Sequence, residues 1–230
     1  MFNSARIIVI YGASGVGKTS VCESILEISN IYFDKIETDF MREIIRGYSH
    51  SLHNKISNVS LTSNAEIESL EHLMDFSILN ASTKDLTMEG LINQSNVLLY
   101  PLIMLCNRFK RLCKYAIIEG VNIPICDIFS NTNYQEAFND VLFVNLYSSD
   151  VKIHRSRLDD RSKIRKIDPL AFEEFNRIRR INDFYFEYTK EFIKQQSLPF
   201  KIISLDTTPK GMLNEDIDFK TIARKIINEL

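Results

Sequence analysis

Cysteine and histidine are scarce in this sequence, and tryptophan does not occur at all. The cysteines show no C-x-x-C pair, and the four histidines lack the spacing of metal ligands. The cysteines are Cys22, Cys106, Cys113 and Cys126. We therefore expect reduced thiols, as in the cytoplasm, and neither a disulfide framework nor a zinc site.

Long apolar runs and an excess of one charge are also missing. No run reaches the roughly 18 residues of a membrane-spanning helix, and the first residues lack the basic and apolar regions of a signal peptide. The chain has 28 Lys and Arg against 30 Asp and Glu, a formal net charge of −2. Such a balance produces no overall field that attracts nucleic acid or a membrane surface. We therefore expect a cytoplasmic protein that binds neither and that recognises anions only at local sites.

A glycine-rich segment near the start, GASGVGKT at residues 12–19, carries the strongest signal. It matches the Walker A pattern and follows the apolar run RIIVIY of residues 6–11, as a strand–loop–helix unit requires. In such a loop, backbone N–H groups surround phosphates, Lys18 reaches the β- and γ-phosphates, and the Thr19 hydroxyl ligates Mg²⁺. The predicted ATP-binding residues here are Gly12, Ala13, Ser14, Gly15, Val16, Gly17, Lys18, Thr19 and Ser20.

Strand-like and helical patterns alternate along the rest of the chain. The predicted strands are residues 6–11, 31–38, 115–120, 141–147 and 200–204. The predicted helices are residues 17–28, 39–48, 65–80, 88–113, 151–196 and 217–230, with a loop at 50–63 and a break at the Asp-Pro pair of 168–169. This alternation predicts an α/β fold of the P-loop NTPase type, with a parallel five-stranded sheet flanked by helices. We expect one domain over residues 1–230, with a helical insertion at about 48–110 and a helical lid with its following helix at about 150–196.

Companion motifs separate the classes of protein that carry such a loop. GTPases normally have D-x-x-G and N-K-x-D, and neither occurs: Asn54 and Lys55 are followed by Ile56 and Ser57. A motor ATPase usually has Asp or Asp-Glu at the end of an apolar strand, whereas the third predicted strand ends in a single Glu119. These features favour a kinase over a switch or a motor.

Asp39 and Arg42 form a D-x-x-R pair directly after the second predicted strand. Because the carboxyl ends of parallel strands face one crevice, we expect Asp39 near the γ-phosphate, where it would accept a proton from an attacking hydroxyl. Arg42, one helical turn later, would clamp an anionic acceptor. The alternative is an aspartate that caps the helix, beside a surface arginine.

Arg157, Arg161 and Arg165 are spaced by four residues and share one face of a predicted helix. Three guanidinium groups on one face suit a lid that closes over the triphosphate and neutralises the transferring charge, so we predict ATP contacts for all three. The alternative is a solvated helix in which Asp159 and Asp160 form local ion pairs. The predicted catalytic residues are Lys18, Asp39, Arg157 and Arg161.

Six segments of the sequence occur in the order found in 2-phosphoglycerate kinases. They are IYGASGVGKTS, ETDFMREIIRGY, SLHNK, IIEGVNIPI, HRSRLDDR and RIRRINDFY. The chain therefore resembles that family over most of its length. The resemblance implies an ATP- and Mg²⁺-dependent kinase that moves the γ-phosphoryl group to the 3-hydroxyl of 2-phosphoglycerate and forms 2,3-bisphosphoglycerate.

The same resemblance implies which residues line the acceptor pocket. They are Asp39, Arg42, His53, Gln94, Glu119 and Arg179. A carboxylate that ends a buried strand needs a partner, and for Glu119 this would be an acceptor hydroxyl or water bound to Mg²⁺. Thr19 and Glu119 are therefore the predicted metal-site residues.

Two departures from the family leave the acceptor open. Asn122 stands where the family usually has histidine, and residues 55–88 match poorly. A relative that acts on another small phosphorylated or hydroxylated metabolite is one alternative, and a nucleoside, nucleotide or polynucleotide 5′-kinase is another. From a different class, an ATP-binding regulatory protein without transfer activity also stays open, as does a homodimer.

Overall fold

A parallel sheet organises the part of the chain that the structure describes. The structure is a computed structural model, and it describes residues 6–45, 47, 88–194, 198–209 and 218–230. Within these ranges five strands lie in the order β2-β3-β1-β4-β5, all parallel to their neighbours. The strands are β1 (Ile7–Tyr11), β2 (Phe33–Glu37), β3 (Tyr115–Gly120), β4 (Val141–Tyr147) and β5 (Lys201–Asp206). The predicted parallel five-stranded sheet is confirmed.

β1 lies at the centre of the sheet because all of its side chains are apolar enough to be covered on both faces. None of its five residues is more than 2 % exposed, and burying one such side chain stabilises a fold by about 1.5–3 kcal/mol. β1 pairs with β3 on one side and β4 on the other, so that Tyr11 lies opposite Gly120 and Asn145. The loop after Tyr11 therefore opens between the carboxyl ends of β3 and β4.

Helices connect the strands and cover the sheet. They are α1 (Lys18–Ile28), α2 (38–45), α3 (Met88–Asn96), α4 (Leu99–Arg111), α5 (Ile125–Ser130), α6 (Thr132–Gln135), α7 (Val151–Arg165), α8 (Phe172–Ile193) and α9 (Phe219–Ile227). A 3₁₀ turn covers Glu136–Phe138. α8 packs against β4 and β5, and α1 packs against α9.

The region predicted as one helix over 88–113 contains two helices, α3 and α4, so that prediction was wrong. Pro101 lies in the first turn of α4 and lacks the N–H that a continuous helix would bond to the carbonyl of Val97. The chain turns instead, and the N–H of Leu98 donates to the carbonyl of Ser95 at 2.9 Å.

The break in the second long helical region comes slightly before the predicted Asp-Pro pair. α7 ends at Arg165, because Lys166 adopts a left-handed conformation with φ of 54°. Pro169 then lies in the connection, and α8 begins at Phe172. The N–H of Ala171 is satisfied by Glu174 at 3.0 Å. A left-handed residue, rather than the proline itself, ends the first helix.

The single domain and its helical insertion remain predictions. The predicted loop at 50–63 and helix at 65–80 lie outside the described residues. Among the helices that the structure describes, none is long and apolar enough to cross a membrane.

A tight junction between β3 and α2 positions the start of α2. Thr38 is fully buried, and its side chain lies so close to Gly120 that a Cβ there would overlap the Thr38 Oγ1. Because β2 and β3 are paired with Glu37 opposite Glu119, α2 starts at the carboxyl edge of the sheet. Asp39 is thereby placed next to the end of β3.

We expect Gly120→Ala to lower the free energy of unfolding by about 1–3 kcal/mol, because the added methyl group overpacks the contact with Thr38. Gly47→Ala is the matched control, since a Cβ at Gly47 would meet no heavy atom of the described residues within 4 Å. At that exposed helical position alanine is expected to stabilise by up to about 1 kcal/mol. Urea denaturation of both variants measures the difference. Equal stabilities would show that the junction tolerates a side chain.

Candidate nucleotide and acceptor site

The loop between β1 and α1 has a backbone that only glycine adopts without strain. Gly15 and Gly17 have φ values of 82° and 88°. Space also requires glycine, because a Cβ at Gly15 would lie 2.8 Å from the Leu158 side chain and one at Gly17 would lie 2.6 Å from Phe219. Left-handed turns of this kind direct N–H groups to one side, in front of the N-terminus of α1. The loop therefore fits the phosphates of ATP.

Lys18 opens α1 and folds back over the loop. Its Nζ donates to two loop carbonyls at 3.0 and 2.8 Å. Burial lowers the pKa of Lys18 to about 8, although the carboxylates of Glu119 and Asp39 raise it, and the charge of Arg161 lowers it further. The charges that act on the predicted phosphate-binding lysine thus include the predicted metal-site carboxylate, the predicted base and a predicted lid arginine.

Glu119 is buried at the end of β3, and the groups that it contacts include Thr19 and Lys35. Its Oε2 accepts a hydrogen bond from the Thr19 hydroxyl at 3.3 Å, and its Oε1 lies 2.9 Å from the Nζ of Lys35. Lys35 also pairs with Glu37 at 3.1 Å. Burial alone would lower the pKa of Lys35, but its hydrogen bonds to Glu119 and Glu37 together outweigh this and raise the pKa above its usual range.

Thr19 and Glu119 are brought together as a site for Mg²⁺ requires. A hydroxyl and a carboxylate are hard oxygen donors, which Mg²⁺ prefers, and the ion usually takes its other ligands from water and from substrate phosphates. The described ranges contain no cluster of three His, Cys, Asp or Glu side chains able to hold a metal by themselves. The donor set fits Mg²⁺ in the presence of a nucleotide.

Three of the predicted acceptor residues also meet in the structure. Arg42 donates from Nη1 to the Oε1 of Gln94 at 3.2 Å, and its Nη2 lies 3.7 Å from the Oδ1 of Asp39. Gln94 is fully buried on α3, whereas the Asp39 side chain is 60 % exposed. The exposed Asp39 carboxylate therefore lies beside Arg42, and the buried side-chain amide of Gln94 holds Arg42 in place.

The arginines of α7 lie in different surroundings. Arg157 donates from Nη1 to the Oγ1 of Thr207 at 2.9 Å and from Nη2 to the Thr207 carbonyl at 2.5 Å, so it contacts the segment after β5. For Arg161, burial and the charge of Arg165 lower the pKa, while the carboxylates of Asp39 and Glu119 raise it. Arg161 and Arg165 are exposed. Their contacts with ATP stay predictions.

Arg179 lies apart from the acceptor group in the described structure. Its Nη1 donates to the carbonyl of Ser148 at 2.6 Å, and its Nη2 pairs with Asp183 at 2.9 Å. It thereby holds the turn between β4 and α7, and its contact with an acceptor stays a prediction. His53 lies outside the described residues.

Two residues next to the site were not predicted from the sequence. Lys35 contacts Glu119 across the β2–β3 pair, and this pairing becomes apparent only once the strand order is known. His154 is fully buried on α7, and its Nε2 lies 2.7 Å from the carbonyl oxygen of Ser14 in the phosphate loop. A single histidine in a helical segment offers no pattern that would have indicated this contact.

Comparisons with known proteins bear on the fold. Neither a protein-family model nor a curated protein matches the chain. The solved structure of TT1252 from Thermus thermophilus matches with a TM-score of 0.51 and 16 % identity, over 99 % of this chain and 99 % of that one. A candidate kinase from Chloroflexus aurantiacus matches with a TM-score of 0.50 and 12 % identity, over 99 % and 100 %.

A third solved structure, shikimate kinase from Acinetobacter baumannii in complex with shikimate, has a TM-score of 0.46 and 15 % identity, over 99 % of this chain and 93 % of that one. The first two similarities, together with the strand order, confirm the predicted α/β fold of the P-loop NTPase type.

We expect the affinity for ATP to fall as the pH rises above about 8. Below that pH the Lys18 amino group is charged and attracts phosphate, whereas above it binding must be accompanied by uptake of a proton. Isothermal titration calorimetry in buffers with different ionisation enthalpies measures both the Kd and the proton uptake. If the affinity stays constant up to the ordinary lysine range, near about 10.4, Lys18 is not desolvated as the structure indicates.

Proposed function

We propose that this protein is an ATP- and Mg²⁺-dependent kinase that transfers the γ-phosphoryl group to a hydroxyl of a small, anionic metabolite. One observation carries the proposal: the hydroxyl of Thr19, next to Lys18, donates to Glu119 at the end of β3. Glu119 lies opposite Glu37 at the end of β2, two residues before Asp39 of the Asp39–Arg42–Gln94 group. A donor half and an acceptor half therefore share the carboxyl edge of one sheet, where ligands of open α/β sheets bind.

The donor half consists of the phosphate loop, Lys18, Thr19 and Glu119. Thr19 and Glu119 would hold Mg²⁺, and the bound ion would neutralise negative charge on the phosphates. Lys18 would exchange its two carbonyl contacts for phosphate oxygens, a change that restores its charge. Catalysis of phosphoryl transfer depends mainly on such positioning and charge stabilisation.

The acceptor half would supply the base and the anion clamp. Asp39 would accept the proton of the acceptor hydroxyl while the new O–P bond forms and the bond between the β–γ bridging oxygen and the γ-phosphorus breaks, which releases ADP. Arg42 has a buried Nε without a hydrogen-bond partner in the described residues. A buried guanidinium donor that lacks a partner suits a carboxylate or phosphate of the acceptor.

For the acceptor we propose 2-phosphoglycerate, converted to 2,3-bisphosphoglycerate, because of the six segments that resemble the 2-phosphoglycerate kinases. The Chloroflexus aurantiacus protein of the same fold, described as a candidate kinase, supports kinase chemistry and no particular acceptor. Asn122, which departs from the family, is fully buried, and neither polar atom of its side chain has a partner in the described structure. The acceptor therefore requires a direct test.

Incubation with γ-labelled ATP and a panel of phosphoglycerates, sugars, nucleosides and oligonucleotides tests the reaction. We expect transfer of label to 2-phosphoglycerate. Label on a nucleoside or an oligonucleotide would instead identify a nucleoside or polynucleotide kinase, and the net charge of −2 offers no broad basic channel for the latter. Binding of ATP with no labelled acceptor would support a regulatory protein.

The variant Asp39→Asn tests the base. We expect turnover to fall by about 10²–10⁴-fold, because the amide cannot accept the proton, while the Kd for ATP changes little. Asp34→Asn is the matched control, since Asp34 lies near the start of β2, away from the carboxyl edge, and pairs with the exposed Lys114 at 3.1 Å. Steady-state rates and ATP titrations compare the two. Near wild-type turnover of Asp39→Asn would refute the assignment.

A further inference from the structure

His154 connects α7 to the phosphate loop through a single hydrogen bond. The residue is fully buried, and its Nε2 lies 2.7 Å from the carbonyl oxygen of Ser14. Because a carbonyl oxygen can only accept, the hydrogen must be on Nε2. Nδ1 is buried and has no hydrogen-bond partner within the described ranges. The polar contact of this imidazole is therefore with the loop.

The surroundings keep this imidazole neutral. Burial lowers the pKa of His154 to about 4, and the positive charges of Arg179, Arg157 and Lys18 act in the same direction, whereas the bond to Ser14 opposes them. A ring with its hydrogen on Nε2 and a lone pair on Nδ1 donates one bond and adds no charge beside the phosphate site. Its effect on a ligand must therefore act through the backbone that it holds.

The peptide plane between Ser14 and Gly15 shows what that effect is. A trans peptide is planar, with its C=O and its N–H directed to opposite sides, and the described chain has no cis peptide bond. A Ser14 carbonyl directed at His154 therefore aims the Gly15 N–H away from α7. In a phosphate loop the backbone N–H groups are the donors to the ligand.

Gly15 by itself does not determine this orientation. Its φ of 82° lies in a region that glycine enters and leaves at low cost, so the peptide before it can rotate easily. α7 packs closely against this glycine, because a Cβ at Gly15 would lie 2.8 Å from Leu158 and 3.2 Å from the His154 ring. A residue of α7 thus holds the carbonyl of the peptide that precedes this glycine.

We propose that His154 is a positioning residue for nucleotide binding: by holding the Ser14 carbonyl it keeps the Gly15 N–H directed at the phosphates. This inference rests on the proposed binding of ATP to the loop. It assigns to this chain a determinant of phosphate affinity that lies outside the Walker A segment.

The test compares His154→Gln with His154→Asn. The Gln side-chain nitrogen reaches the position of Nε2 and can donate to Ser14, whereas the Asn nitrogen is too short to do so. Calorimetry measures the Kd of each variant for a non-hydrolysable ATP analogue and for inorganic triphosphate, which contacts the loop alone. We expect His154→Asn to raise the Kd for both ligands by about ten-fold, which corresponds to the loss of one net hydrogen bond of about 1.4 kcal/mol. His154→Gln should bind both ligands nearly as tightly as the wild type does.

The NMR signal of the Gly15 amide separates positioning from general loss of structure. In the wild type and in His154→Gln, triphosphate should shift this signal strongly, and in His154→Asn the shift should be reduced while signals of the sheet stay unchanged. Equal Kd values for the Asn and Gln variants, with equal Gly15 shifts, would overturn the inference and leave the nucleotide site intact. If the wild type binds neither ATP nor triphosphate, the proposed function and this inference both fail.

Discussion

The hydrogen-bonded ladder that joins β1 to both β3 and β4 is the constraint on which the rest of the site depends. It places Tyr11 opposite Gly120 and Asn145, so the phosphate loop leaves the sheet between the ends of the two neighbouring strands. A shift of one residue in either pair would move the side chains on one face of the strand to the other face. Because both faces are buried and apolar, only the packing and shape of the side chains oppose such a shift. The position of Glu119 beside Thr19 follows from this register.

Burial and charge then act together at the carboxyl edge. Glu119 is almost inaccessible to water, and a carboxylate in such a position needs partners, because removal of one partner from a buried ion pair typically costs about 3–5 kcal/mol. Lys35 and Thr19 supply these partners. Burial lowers the pKa of both lysines, but only Lys35 has hydrogen bonds to carboxylates that outweigh it, so the pKa of Lys18 is lowered and that of Lys35 is raised. An anionic ligand at the loop would give Lys18 negatively charged partners, as Glu119 and Glu37 already do for Lys35.

The two helices after β4 are attached to this edge at three places. His154 contacts the phosphate loop, Arg157 contacts Thr207 after β5, and Arg179 contacts Ser148 after β4. Side chains of α7 and α8 therefore attach this part of the structure to several loops, while Arg161 and Arg165 lie further along α7 and are exposed. α7 therefore combines a fixed base with accessible cations, and the lid predicted for this helix stays a prediction.

The local elements could be predicted because the information for each lies in a short run of residues. The strands follow from apolar segments, and the phosphate loop follows from glycines and a lysine at set spacing. Asp39, Arg42 and Gln94 were predicted from their positions and from a family resemblance, and the structure brings them together. The division of residues 88–113 into two helices was missed, although Pro101 marks it in the sequence.

The sequence by itself therefore determined the strands, the phosphate loop and the identity of the candidate donor and acceptor residues, since these depend on neighbouring residues and on patterns of short period. Only the tertiary structure decided which cation faces which carboxylate and which side chain supports the loop. Ser14 and His154 are 140 residues apart, and Arg157 and Thr207 are 50 apart. Such pairs form only after the strand order has brought the ends of β1, β3, β4 and β5 to one edge, and no local pattern contains that order.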